Sequence, residues 1–314
     1  KIKRMVALQK NLQDILISIY MEEKNMEKEK FGCPIGCKYC MVTHINCKRE
    51  KWEKIHRYGI NKTVLFVNKL EGEIPLSKMN LDTSFFEGEY VGFEGITDAF
   101  NPIFEEDLKY MISLSKNMNM KKLVLVTKWP VSKERLKLLT ENKKILLVVS
   151  ITGLDMLENV TTKQKLNVLD NAYKLGIDVL PIIHPYIHSV SDISFLSDIK
   201  KIGIKNIAYK GLRYNDEFMG SWARKYMNSE VYKIYKNSSE DEILLGEEYL
   251  KEKIKENDLN IVNFREYVQK DGDEYSISYD RAKKIVDKIF KEIVVSSSDT
   301  NDAVYKSAIM RRIK

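Results

Sequence analysis

The sequence predicts an α/β fold built on a parallel sheet, and three observations support this prediction. Apolar runs of strand length recur along the chain, for example at residues 123–126 and 145–151. Helical patterns separate them, as at residues 105–118, and alternating strands and helices are typical of parallel sheets. The run at 145–151 is apolar except for Ser150, as in a strand buried on both faces.

Six strands are predicted before residue 215. The first, at residues 15–20, has the sequence ILISIY, but apolar residues at helical spacing across 5–19 leave a helix open as well. Residues 63–67 form a further short apolar run that is not counted among the six. The other five strands lie at the start of residues 90–102 and at residues 123–126, 145–151, 177–186 and 205–210.

The helices between these strands carry recognisable end signals. Ser132 is a predicted N-cap for a helix that runs to residue 139, and Gly176 and Gly203 are predicted to end the helices at 161–175 and 191–202. Asp98 and Asn101 are predicted caps for the helix that begins near Pro102, since their side chains can accept hydrogen bonds from free N–H groups.

The chain divides into three predicted parts. Residues 1–30 lead into the first strand, 31–214 form the core and 215–314 form a charged, mainly helical extension. The extension has an apolar stripe at helical spacing, which is predicted to pack on the side of the core. Its members are Ala282, Ile285, Val286, Ile289, Phe290 and Ile293.

Composition narrows the classes of partner. No apolar run approaches the roughly 20 residues of a membrane span. The net charge of +7 would suit an anionic partner, but both signs are mixed along the chain. No basic helix carries interleaved aromatic residues for stacking on bases, so nucleic acid is not the favoured partner.

The sequence FGCPIGCKYC places Cys33, Cys37 and Cys40 in a C-x3-C-x2-C array. Three thiolates this close can turn toward one soft metal centre. A 4Fe–4S cluster normally has four thiolate ligands, so three leave one iron open to another molecule. Zinc is the alternative, with Cys47 or His44 as a fourth ligand, although the usual paired C-x2-C pattern is absent.

All four cysteines lie between positions 33 and 47, and none is left to cross-link the rest of the fold. This clustering favours a metal over a disulfide framework and therefore predicts a reducing, cytoplasmic location.

The cysteine array, with the aromatic Tyr39 before its last cysteine, resembles the defining motif of the radical S-adenosylmethionine (radical SAM) superfamily. The resemblance implies a partial (β/α)6 TIM barrel with a 4Fe–4S cluster whose open iron chelates the amino and carboxylate groups of SAM. It also implies an electron donor such as flavodoxin or ferredoxin, and reductive cleavage of SAM to a 5′-deoxyadenosyl radical that abstracts hydrogen from a substrate.

Thr97, Asp98, Phe100 and Pro102 resemble the Thr-Asp-x-aromatic-x-Pro pattern of the branch that includes spore photoproduct lyase and its DNA repair photolyase-like relatives. The resemblance implies that Asp98 holds the ammonium group of SAM, which suits a carboxylate because it accepts charge-assisted hydrogen bonds.

The same resemblance assigns further SAM contacts near the ends of later strands. Lys128 is expected near the SAM carboxylate, Ser150 and Thr152 near the ribose, Gly211 near the adenine and Arg213 near an anion. Relatives also carry an arginine-leucine pair early in the helix that follows the fourth strand, predicted here at residues 161–175. This chain has Lys165 and Leu166 at that place.

The substrate side is less constrained. His184, Tyr186 and Tyr214 are the candidate catalytic residues, because barrel chemistry collects at the carboxyl ends of strands. Gly95 stands where spore photoproduct lyases place a hydrogen-donor cysteine, which argues against the lyase reaction itself. A nucleic acid, a peptide or a small metabolite all stay open as substrate, and a non-enzymatic metal scaffold or electron carrier is the alternative function.

Overall fold

The computed structural model describes residues 35–40, 58–60, 65–69, 74–79, 81–95, 98–213, 216–238, 242–264 and 267. Several predictions concern residues outside these ranges, and they stay predictions. They are the strand at 15–20, the apolar stripe at 282–293, and the roles of Cys33, His44, Cys47, Thr97 and Tyr214.

The described residues form one eight-stranded sheet in which spatial order follows chain order. The strands are β1 (Tyr58–Ile60), β2 (Leu65–Lys69), β3 (Tyr90–Gly95), β4 (Lys122–Thr127), β5 (Ile145–Ser150), β6 (Asp178–Ile183), β7 (Asn206–Tyr209) and β8 (Asn260–Ile261). β1 pairs antiparallel with β2, and every later neighbour is parallel. The α/β prediction is confirmed, and the sheet is open, with β1 and β8 at its edges.

The helices lie between and after these strands. They are α1 (Glu105–Asn117), α2 (Lys133–Thr140), α3 (Thr162–Lys174), α4 (Leu196–Ile202), α5 (Asp216–Tyr226), α6 (Ser229–Asn237) and α7 (Glu247–Glu256). Two predicted caps form: the Ser132 side chain accepts from the N–H of Arg135, and the Asn101 side chain accepts from that of Ile103. The prediction of Asp98 as a cap is wrong, because its side chain accepts from the N–H of Phe100, which precedes the helix. Within the described residues, no helix is long and apolar enough to cross a membrane.

The helix predicted at 191–202 is wrong at its start, since α4 begins at Leu196. Polar side chains before it bond the loop backbone instead of leaving it free to extend the helix. The Ser191 hydroxyl accepts from the N–H of Ile187, and the Asp192 carboxylate accepts from the N–H of Ser194.

Side chains of alternate strand residues form separate cores on the two faces of the sheet. One core packs against the helices and includes Leu125, Leu147 and Val149. The core on the other face includes Val124, Val148 and Ile182, with Tyr267 packed into it. Side chains alternate between the two faces of a strand, so Lys128, Ser150 and His184 lie on the same face as this second core, at the carboxyl edge of the sheet.

Three of the described strands, β1, β2 and β8, are not among the predicted six. The apolar run at residues 63–67 contributes to β2, which pairs with β3 in register from Leu65↔Val91 to Lys69↔Gly95. β8 comes from the predicted helical extension and pairs with β7. The extension therefore supplies part of the sheet as well as helices α5 to α7.

Candidate functional site

The carboxyl ends of β4, β5 and β6 meet at the main-chain carbonyl of His184. This oxygen accepts a hydrogen bond of 2.9 Å from Lys128 Nζ and one of 3.0 Å from Ser150 Oγ. Three residues predicted from separate strands thus lie within hydrogen-bonding distance, through the backbone of His184 and not its ring.

Asp98 joins the loop after β3 to the end of β4. Its carboxylate accepts from the N–H of Phe100 (2.9 Å), the hydroxyl of Thr127 (2.7 Å) and the N–H of Lys128 (2.6 Å). Burial raises the pKa of Asp98, while these hydrogen bonds oppose the rise. The carboxylate therefore fixes the backbone of Lys128; contact with a SAM ammonium stays a prediction.

The cysteine loop is hydrogen-bonded to the segment that follows β5. The N–H of Lys38 donates to the carbonyl of Leu157 (2.9 Å), and the N–H of Asn159 donates to the carbonyl of Ile35 (3.2 Å). Within the loop, the N–H of Cys40 donates to the carbonyl of Cys37 (3.0 Å), which closes a turn between the two cysteines.

The side chains of Tyr39, Lys128, Glu158 and Lys165 form a buried network beside this loop. Lys128 Nζ donates to the Tyr39 hydroxyl (2.6 Å) and to Glu158 Oε1 (3.0 Å). The Tyr39 hydroxyl also donates to Glu158 Oε1, and Lys165 Nζ donates to Glu158 Oε2. The Glu158 and Lys165 side chains are fully buried, and that of Lys128 is 18% exposed.

Burial dominates the proton affinities of this network. It raises the pKa of Glu158 to about 7 although Lys165 lies beside it, and it lowers the pKa of Lys128 to about 7. Removing charged groups from water is costly, and the lysine–carboxylate contacts compensate for part of that cost.

Cys37 is a free thiol and is buried. Cys37 shares an apolar cluster with Tyr39, Leu154, Leu157 and Trp222 of α5. Burial raises the pKa of Cys37 to about 12, so the thiolate in this cluster requires a positive partner. A bound metal supplies one, because coordination takes the deprotonated thiol.

Two observations fit the cysteine loop to an iron–sulfur cluster. The turn presents two soft thiol ligands three residues apart. In addition, the indole N–H of Trp222 is buried without a hydrogen-bond partner among the described atoms, and cluster sulfurs accept such bonds. The described ranges hold no group of three metal-ligating side chains, and Cys33 lies outside them.

The remaining predicted SAM contacts have other neighbours. The Thr152 hydroxyl is buried and accepts from the N–H of Leu154 (3.3 Å), as in a local turn. Gly211 passes close to the backbone of Ile243, where a Cβ would lie 2.3 Å from the carbonyl oxygen. Arg213 is exposed. Contacts of these residues with SAM stay predictions.

Tyr186 and His188 line a separate cavity. Its volume is about 670 Å³, and it lies between the loop after β6, the start of α4 and one face of α7. The Tyr186 hydroxyl lies 3.2 Å from His188 Nδ1, and the ring of His188 packs edge-on against Tyr249. Tyr186 is therefore directed toward α7 in this arrangement.

Sequence reasoning missed Glu158 as a site residue and treated Lys165 as a departure from a family pattern. A signal was present, because Lys165 falls on the buried face of α3 with Val168, Leu169 and Ala172. A lysine at such a position requires a buried anion, and lysines are almost never fully buried unless paired. Glu158, seven positions before it, was the available partner.

No family model and no curated protein matches this chain. Among solved structures, SuiB from Streptococcus suis bound to S-adenosylmethionine matches 74% of this chain at 15% identity and a TM-score of 0.40. SuiB bound to its precursor peptide SuiA matches 79% at 15% identity and 0.42. Spore photoproduct lyase complexed with dinucleoside spore photoproduct matches 55% at 14% identity and 0.40.

This chain spans 44%, 51% and 61% of the lengths of those three structures, respectively. At these identities and TM-scores, the likeness carries no argument about activity, which rests on this chain's own residues.

Proposed function

We propose that this protein is a radical SAM enzyme in which Cys33, Cys37 and Cys40 hold a 4Fe–4S cluster. The observation that carries the proposal is the contact between the cysteine loop and the strand ends. Tyr39, between two of the cysteines, is hydrogen-bonded to Lys128 at the carboxyl end of β4. In open α/β sheets, ligands bind at this edge.

The chain's own residues supply binding and orientation at this edge. Lys128 brings a cation to this edge, which suits a carboxylate such as that of SAM. Its three N–H groups bond Tyr39, Glu158 and the His184 carbonyl, so SAM would replace one of these acceptors. The His184 carbonyl accepts from Lys128 and also from the Ser150 hydroxyl, so Ser150 holds the acceptor that orients Lys128. Leu154, Leu157 and Trp222 surround Cys37 with apolar surface, which limits the access of water to a bound cluster.

A cluster held by Cys33, Cys37 and Cys40 would supply the electron for reductive cleavage of SAM, which is the chemistry that the motif resemblance implies. We propose a flavodoxin or ferredoxin as the source of that electron. The substrate is left as a nucleic acid, a peptide or a small metabolite.

The proposal is tested by iron and sulfide content after anaerobic reconstitution. Wild-type protein is expected to bind about four irons and four sulfides. Cys37→Ala is expected to lose them, because it removes one of three ligands. Cys47→Ala is the matched control, since Cys47 lies outside the motif and its removal leaves the cluster in place.

The zinc alternative predicts the opposite pattern. Under it, the protein as isolated holds zinc, reconstitution adds no sulfide, and Cys47→Ala weakens metal binding if Cys47 is the fourth ligand. Full iron and sulfide in Cys37→Ala would refute the proposed ligand set.

A further inference from the structure

We propose that Glu158, held by Lys165, is the positioning residue of the cysteine loop: it fixes Tyr39 and thereby sets where Cys37 and Cys40 stand. This inference deepens the proposed function and rests on it for the identity of the bound group. The underlying contacts involve only described side chains and belong to the chain itself.

The segment after β5 holds the cysteine loop in place. Residues 157–159 bond the loop on both sides of Cys37, through the Leu157 carbonyl and the Asn159 N–H. Glu158 lies between these two residues. Its carboxylate therefore meets the loop at the place where the two backbones are joined.

The Glu158 carboxylate is held in one orientation by donors on both of its oxygens. Oε1 accepts from the Tyr39 hydroxyl and from Lys128 Nζ, whereas Oε2 accepts from Lys165 Nζ. Each oxygen thus has a separate partner set, and rotation of the carboxylate would break contacts on both sides. A buried carboxylate with charged donors on both oxygens is held in one orientation.

The position of Lys165 is fixed by the start of α3. It is fully buried in the first turns of α3, and that helix begins with a capping box formed by Thr161 and Gln164. The helix start is therefore well defined, and Lys165 transmits its position to Glu158. Tyr39 in turn lies two residues after Cys37 and one before Cys40, so its hydroxyl ties the cysteine turn to the sheet.

The test compares the accessibility of the cysteines in metal-free, reduced protein. The protein is treated with an alkylating reagent at a low concentration, and the rate of modification of Cys37 and of Cys40 is followed by peptide mass spectrometry. When closing is fast, the rate follows the fraction of molecules with the loop open. Tyr39→Phe removes the hydroxyl and leaves the Glu158–Lys165 pair intact. Loss of the hydroxyl is expected to raise the rate at the buried Cys37 about tenfold or more, as for a hydrogen bond to a charged group.

Two variants of Lys165 test the role of Glu158 by changing the partner of its Oε2 oxygen. Lys165→Met is expected to raise the alkylation rate as Tyr39→Phe does, and Lys165→Arg to leave it near the wild-type value, because arginine keeps a positive charge that can donate to Oε2. Lys174→Met is the matched control on the same helix, since Lys174 is an exposed partner of Asp170. It should leave the rate at the wild-type value.

The urea midpoint of each variant is measured alongside, so that a rate increase in a globally unfolded variant does not count as support. If Tyr39→Phe and Lys165→Met fold with wild-type alkylation rates, Glu158 does not position the loop. Because these rates need no metal, the result is separable from the proposed function: a chain that binds no cluster would still show them.

For protein that does bind the cluster, the electron paramagnetic resonance spectrum of the reduced form gives a second readout. Lys165→Met is expected to broaden the signal by allowing several loop conformations, and Lys165→Arg to restore a single species. An unchanged spectrum in Lys165→Met would contradict the inference.

Discussion

Lys128 is the residue at which the cysteine loop and the sheet meet. Its ammonium group contacts the Tyr39 hydroxyl, the Glu158 carboxylate and the His184 carbonyl at distances of 2.6 to 3.0 Å. A buried lysine is tolerated when it is paired and its N–H groups are bonded, and all three of these contacts are acceptors. One side chain therefore joins elements that are distant in sequence.

His184 provides a test at the same scale. Burial, followed by the positive charges of Lys210, Lys128 and Arg213, holds the pKa of His184 well below 6.5. The folded protein therefore keeps this ring neutral at a pH where the unfolded chain protonates it. Its contribution to the free energy of unfolding is complete above pH 6.5 and is lost as the pH falls.

The measurement is the proton resonance of the His184 ring, identified by its absence in His184→Gln. It is expected to stay constant between about pH 6 and pH 8, because histidine changes charge in this range only when its pKa lies there. A titration midpoint inside the range would contradict the burial and charge assigned to His184.

Strands β2 and β3 illustrate how one element determines the sequence of its neighbour. Phe66 and Gly92 are register partners, and a Cβ at position 92 would lie 2.2 Å from the Phe66 ring. Glycine at this position therefore leaves room for an aromatic side chain on the neighbouring strand.

Gly92→Ala is expected to lower the free energy of unfolding by about 1–3 kcal/mol, the usual cost of overpacking. Urea denaturation measures it. In a Phe66→Leu background the same substitution should cost clearly less, because the smaller side chain removes the collision. An equal cost in both backgrounds would show that the two residues do not conflict.

For the whole molecule, the predicted extension and the predicted core share buried surfaces. Trp222 and Tyr235 pack in the same cluster as Cys37 and Leu157, and Leu250 and Ile254 join the helix-facing core. Tyr267 donates to Asp178 at the start of β6 (3.1 Å). Residues after 215 therefore complete both faces of the sheet.

A chain cut after Arg213 is accordingly expected to lose cooperative folding, since it would expose the apolar partners of these side chains. Circular dichroism and a thermal melt test this, with the full-length chain as the control. A truncated chain that is monodisperse and melts cooperatively would show that residues 31–214 form an independent core.

The sequence predicted the parallel sheet well because buried strands such as β5 are marked by continuous apolar residues. It also places Lys128, Ser150 and His184 at strand ends, which share one edge in a parallel sheet, but it does not predict their contact through the main-chain carbonyl of His184. The Glu158–Tyr39 contact could not be predicted, because it joins residues 119 positions apart and depends on how the cysteine loop packs against the segment after β5. Likewise, no local pattern showed that β8 would return to the sheet.

The most direct test of the central claim is chromatography for 5′-deoxyadenosine. Reconstituted protein is reduced with dithionite and supplied with SAM under anaerobic conditions, with Cys37→Ala and Cys47→Ala treated in parallel. The account predicts nucleoside from wild type and Cys47→Ala and none from Cys37→Ala. A reduced, fully iron-loaded wild-type protein that forms no nucleoside, or equal yields from Cys37→Ala, would contradict it.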